Sequence, residues 1–101
     1  MAVGADIPTL DKLRARRGEI VAIVKHQGAC NLRVFGSIAQ GDAGTNSDID
    51  LLVEMEPGRT VFDLSELILE IQETQDRHVD VIEIKRSTPL AARILSESVA
   101  L

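Results

Sequence analysis

Six consecutive residues, Asp48-Ile49-Asp50-Leu51-Leu52-Val53, limit what this chain can fold into more than any other stretch. Neighbouring side chains on a strand point to opposite faces. A strand here therefore puts Ile49, Leu51 and Val53 on one face and Asp48 and Asp50 on the other, about 7 Å apart along the backbone. The apolar face calls for a cover of helices. The acidic face brings two like charges together, an arrangement that gains little unless a cation lies between them. Carboxylate oxygens are the ligands that Mg²⁺ prefers, in company with water and substrate phosphates.

The flanking segments supply the helices and further strands. Leu10, Leu13, Ile20, Val21 and Val24 recur on one helical face, with Thr9 or Asp11 as cap and Gly28 as the stop. Asn31-Leu32-Arg33-Val34-Phe35 reads as a first strand, followed by a short helix over Ile38 to Gln40. The polar run Gly41 to Asn46 and the pair Pro57-Gly58 are turns. Val61, Leu64, Leu67, Ile68 and Ile71 predict an amphipathic helix capped by Thr60. Val79 to Ile84 predicts a third strand with Asp80 inside it, and Thr88-Pro89 opens a last helix carrying Leu90, Ile94, Leu95 and Val99. The expected order is α-β-(short α)-β-α-β-α, one α/β (α+β) domain over residues 1–101, with a small mixed sheet flanked by helices.

Composition removes several functions. Two aromatic residues, Phe35 and Phe62, are too few to make a stacking platform for single-stranded nucleic acid. A formal net charge of -5 disfavours general binding to phosphate backbones, and Lys12, Arg14, Arg16 and Arg17 read as a solvated helix face. The one cysteine, Cys30, cannot form an internal disulfide and reads as a small, half-buried residue just ahead of a strand. The amino-terminal MAVGADIPTL has no export pattern, and no apolar run is long enough to span a membrane. A soluble, cytoplasmic protein is expected.

Chemistry concentrates at two places. If the third strand lies beside the second, Asp80 joins Asp48 and Asp50 on one face, and three carboxylates can hold two metal ions for an in-line phosphoryl or nucleotidyl displacement. Gly36-Ser37 stands between a strand and a helix. Glycine permits close backbone approach to a ligand, and the first amides of the helix favour a phosphate there. Ser47, directly before Asp48, is placed to orient that loop. His26 suits a helix C-terminus, and His78 reads as a surface residue ahead of the third strand.

Gly36-Ser37, ten residues, then Asp48-Ile49-Asp50 resembles the G-S-x10-D-x-D signature of the DNA polymerase β-like nucleotidyltransferases. The form FGSIAQGDAGTNSDIDLLV is similar to the minimal nucleotidyltransferases of that superfamily, with the likeness running from about Leu32 to Ile84. The resemblance implies a polymerase β-like core in which Gly36 and Ser37, with Ser47 in support, bind the triphosphate of ATP. It implies that Asp48, Asp50 and Asp80 bind one or two Mg²⁺ ions and carry catalysis, with Asp80 a candidate general base. Several relatives are antitoxins paired with HEPN-domain ribonuclease toxins. The resemblance therefore implies transfer of AMP to a tyrosine of such a small helical partner in a hetero-oligomer, without membrane or direct nucleic-acid binding. One position departs from the pattern. Many relatives carry a basic residue where Gln40 precedes Gly41, a place that Arg33 or Lys85 would have to make good. Gln40 favours the alternative: a catalytically weak binding module that neutralises its partner by contact.

Overall fold

The computed structural model describes residues 7–85 and 88–101. Residues 1–6, part of the amino-terminal run read above for export signals, lie outside the described set. Among the described residues, the order is α1 (Leu10–Ala15), α2 (Arg17–His26), β1 (Ala29–Phe35), α3 (Gly36–Gln40), β2 (Ile49–Met55), α4 (Val61–Gln75), β3 (Val79–Glu83), α5 (Pro89–Glu97) and β4 (Val99–Ala100). The strands form one mixed sheet in the order β3-β2-β1-β4. β1 runs antiparallel to β2 and β4, and β2 and β3 are parallel across the α4 crossover.

The apolar face of β2 is buried as its alternation requires. Ile49, Leu51 and Val53 pack with Val34 of β1 and Val79 and Val81 of β3. Leu13, Ile20 and Val24 from α1 and α2, and Leu67 and Ile71 from α4, cover them. The opposite face has a smaller cluster in which Leu52, Ile84 and Ala91 are buried, with Phe35, Ile94 and Leu95 against them. No described helix is long and apolar enough to cross a membrane.

Four expectations need correction. The first predicted helix is two, broken at Arg16 (φ -108, ψ 15), whose N–H closes a tight turn onto the carbonyl of Leu13. Both halves still bury their apolar residues, Leu13 before the break and Ile20 and Val24 after it. Val61 is 67% exposed rather than part of the buried stripe of α4. Val61 and Phe62 open the helix as an exposed first turn, and burial begins with Leu64 and Leu67. Val99 leaves the last helix. Ser98 turns to extended backbone (φ -92, ψ 162) and the chain passes into β4, pairing Val99 with Val34 and Ala100 with Arg33. Cys30 is exposed and lies within β1, which begins two residues earlier than expected.

β1 also contains a bulge. Its register against β2 shifts between Cys30 and Arg33, around Asn31 at φ 54, whose side-chain amide donates to the Glu54 carboxylate. The extra residue resets the alternation, so that Ala29 and Val34 both reach the same core although they are five positions apart, an odd step that would otherwise put them on opposite faces.

Candidate active site

The acidic residues meet where three strand ends meet. The C-terminal end of β1 lies beside the start of β2, with Phe35 paired to Asp50. β3 starts alongside in parallel, with Asp50 paired directly to Asp80. The amide of Ile49 donates to the carbonyl of His78 at 3.0 Å, which fixes the first residues of β2 and β3 side by side. The condition set from sequence is therefore met: β3 neighbours β2, and the two aspartates occupy one register position.

Gly36 brings the other half of the motif to the same place. It has φ +73, and a Cβ there would collide with Oδ2 of Asp50 and lie 3.2 Å from its Cγ. Only glycine combines that backbone conformation with so close a carboxylate. Ser37 follows in the first turn of α3, half-buried, and its hydroxyl has no hydrogen bond among the described residues. α3 ends at Gly41 (φ 81), and the amide of Asp42 turns back to the carbonyl of Ser37 at 3.0 Å.

The loop into β2 is held by its own residues. The amide of Gly44 donates to the hydroxyl of Ser47 at 2.8 Å, and the Ser47 amide donates to the carbonyl of Gly44 at 3.1 Å. Arg77 donates through Nη1 to the carbonyls of Thr45 and Ser47, each at 2.9 Å. Ser47 is thus engaged in shaping the turn ahead of Asp48.

Asp48, His78 and Asp80 can each place a donor atom within 4.8 Å of the other two. Nδ1 of His78 is 3.3 Å from Oδ2 of Asp48, and its Nε2 is 4.0 Å from Oδ1 of Asp80. Asp50 stands behind this exposed trio, facing Gly36. Burial pushes its carboxyl above the ordinary value of 3.8, the charges of Asp80 and Asp48 push it further, and His78 offsets part of the rise. A site that raises a carboxyl through neighbouring carboxylates gains from a divalent cation, and its oxygen donors suit Mg²⁺.

His78 is the residue that sequence reasoning passed over. The signal was its spacing: His78 and Asp80 stand two apart on an extended segment and so share a face. The proposed substitutes for a basic residue at position 40 are placed elsewhere. Arg33 donates from Nε to the Ser98 hydroxyl at 2.6 Å and from Nη2 to the Ser98 carbonyl at 3.0 Å, which commits it to the β4 edge. Lys85 follows the end of β3 opposite Asp80. Gln40 itself is exposed at the end of α3.

A glycine-serine turn facing an acidic strand start on a mixed sheet is the arrangement of a nucleotidyltransferase. The chain belongs to the nucleotidyltransferase domain family, whose model matches residues 18–101. Among individual relatives, it is 37% identical over 82 residues to a Methanocaldococcus jannaschii protein named "Putative protein adenylyltransferase MJ0435", covering 80% of this chain and 88% of that one. A solved structure titled "putative minimal nucleotidyltransferase" superposes with a TM-score of 0.81 at 38% identity, over 93% of this chain and 97% of that one. The fold also matches a toxin-antitoxin structure with AMP-PNP, at a TM-score of 0.70 and 20% identity over 82% and 69% of the two chains. It matches a mutant of the toxin-antitoxin MntA-HpeT at a TM-score of 0.64 and 16% identity over 84% and 69%.

Proposed function

We propose that residues 1–101 act as one minimal nucleotidyltransferase domain that moves AMP from ATP to a protein hydroxyl, a tyrosine of a HEPN-domain toxin, and so serves as the antitoxin of a cytoplasmic pair. The convergence of Gly36, Asp48, Asp50 and Asp80 on one sheet end carries this reading. The relative named as a protein adenylyltransferase supports the acceptor class. The toxin-antitoxin neighbours, one with AMP-PNP, support the pairing and the nucleotide.

Asp48, Asp50 and Asp80 would hold Mg²⁺, which supplies charge neutralisation at the carboxylates and the triphosphate when bound. Gly36 leaves room for the phosphates to approach the backbone, and the unengaged Ser37 hydroxyl donates to a phosphate oxygen. The acceptor oxygen attacks the α-phosphorus in line, the bond to the bridging oxygen breaks, and pyrophosphate leaves. Asp80, exposed at the mouth, accepts the proton of the acceptor hydroxyl. Ser47 acts by fixing the turn that presents Asp48. Catalysis of this kind is mostly positioning and electrostatics.

The test is transfer of label from α-labelled ATP to the partner in the presence of Mg²⁺. Wild type labels the partner, and Asp48→Asn binds it without labelling it. The exposed placement of Gln40, with Arg33 held at Ser98 and Lys85 beyond the far end of β3, favours a second reading in which the domain neutralises its partner by contact. That reading wins if Asp48→Asn protects from the partner as well as wild type does.

A further inference from the structure

Away from the acidic site, α2, the first half of β1 and the chain after α5 enclose a cavity of about 670 Å³. Its floor is apolar, with Val21 and Val24 from α2, Leu32 from β1 and Leu95 from α5. Its charged side chains are all basic, although Ala100 and Leu101, with the carboxylate of Leu101, also line it. The chain has 16 acidic residues against 11 lysines and arginines, yet this cavity is lined by Arg17, Lys25 and Arg33 and by no acidic side chain. Arg33 is committed to Ser98. Arg17 and Lys25 have no hydrogen-bond or ion-pair partner among the described residues, and with Val21 they form one stripe along α2.

The cavity also borders an open strand edge. β4 pairs with Arg33 and Val34 alone, so among the described residues no strand pairs with Ala29 to Leu32 on that side; Leu101, the residue after β4, comes next to Leu32, which leaves Ala29 to Asn31 as the open edge. Such an edge offers unpaired amides and carbonyls to an added strand. The bulge at Asn31 bends it, which disfavours a long strand from a second copy and leaves room for a short segment.

We propose that this groove binds a short extended peptide segment that alternates aliphatic and acidic residues. The segment lies along Ala29 to Asn31, beyond Leu101, with its aliphatic side chains on the floor and its carboxylates at Arg17 and Lys25. Its source is the protein acceptor; that identification alone rests on the proposed function, and the binding itself needs neither nucleotide nor metal.

A titration of the isotope-labelled full chain with the synthetic peptide acetyl-Glu-Val-Asp-Val-Glu-amide, followed by amide chemical shifts without nucleotide, tests the groove. Saturable shifts are expected in Val21 to Lys25 and Ala29 to Arg33. The double variant Arg17→Glu, Lys25→Glu changes two exposed side chains and should bind about tenfold more weakly, with its other resonances unmoved. Lack of shifts overturns the proposal, as does equal binding of the peptide with lysine in place of each acid. Inorganic phosphate producing the same shifts at the same concentration also overturns it, since the site would then recognise a bare anion rather than a strand. A groove that binds the peptide while the partner goes unlabelled would instead count against nucleotide transfer alone.

Discussion

Asp50 and Leu52 stand two residues apart on the same face of β2, and they meet opposite surroundings. Leu52 is 1% exposed, sealed under α5 with Ile84 and Ala91. Asp50 lies just past that cover, among Gly36, Asp48 and Asp80, with its charge opposed by its neighbours. One face thus does two jobs. Its covered half contributes stability through burial, and its open half gives up some stability by holding like charges together.

Substitutions at the two residues should separate these jobs. Leu52→Ala removes buried side-chain volume and should cost about 2–5 kcal/mol, read as a lower denaturant midpoint, with nucleotide transfer by the folded fraction nearly unchanged. Asp50→Asn should do the reverse, lowering transfer by about 10²–10³-fold while stability holds or rises. If Asp50→Asn unfolds the protein, the carboxylate is a structural group and the comparison collapses.

Gly36→Ala sits between the two. It forces a non-glycine residue to φ +73 and a Cβ onto Asp50, which should cost about 1–3 kcal/mol and also weaken nucleotide binding. A smaller loss of binding, about 0.5–1.5 kcal/mol, is expected for Ser37→Ala, which removes one neutral hydrogen bond and is measurable by calorimetry with Mg·ATP.

The gentlest probe is pH. The carboxyl of Asp50 is raised in the folded protein, so between 3.8 and its raised value the native state holds the proton more tightly than the unfolded chain. Without metal, stability should therefore fall as pH rises through that window. Asp50→Asn should flatten this dependence, and millimolar Mg²⁺ should do the same if the carboxylates hold it. An unchanged slope in the variant would show that Asp50 does not carry the repulsion.

The two halves of this face also differed in how well sequence alone exposed them. The motif and its alternation located the acidic half, because Gly36 and the aspartates are constrained by local backbone chemistry. Thr60 was readable for the same reason: it caps α4 in a reciprocal box with Asp63, whose carboxyl is held below its ordinary value chiefly by the Thr60 amide. The covered half was harder to read. β4 is two residues long, too short for alternation to show, and what ends α5 and starts β4 is the grip of Arg33 on Ser98, a contact between residues 65 apart in sequence. His78 escaped for a related reason. Its meaning depends on Asp48, a neighbour only once β2 and β3 pair, and a histidine before a strand is otherwise unremarked.

The parallel pairing of β2 with β3 also sets an order in time. β2 can find β1 through the short intervening segment, but β3 reaches β2 only after the chain has passed through all of α4. Such non-local closure must offset a larger loop entropy before its contacts form, so it belongs late in folding. The bond from Ile49 to His78 and the register of Asp50 with Asp80 arise only at that closure. Until then Asp48 and Asp50 lack their third carboxylate. A chain emerging from the ribosome therefore has no assembled acidic cluster until the crossover is complete, while α5 and β4, which follow β3, are still to be added.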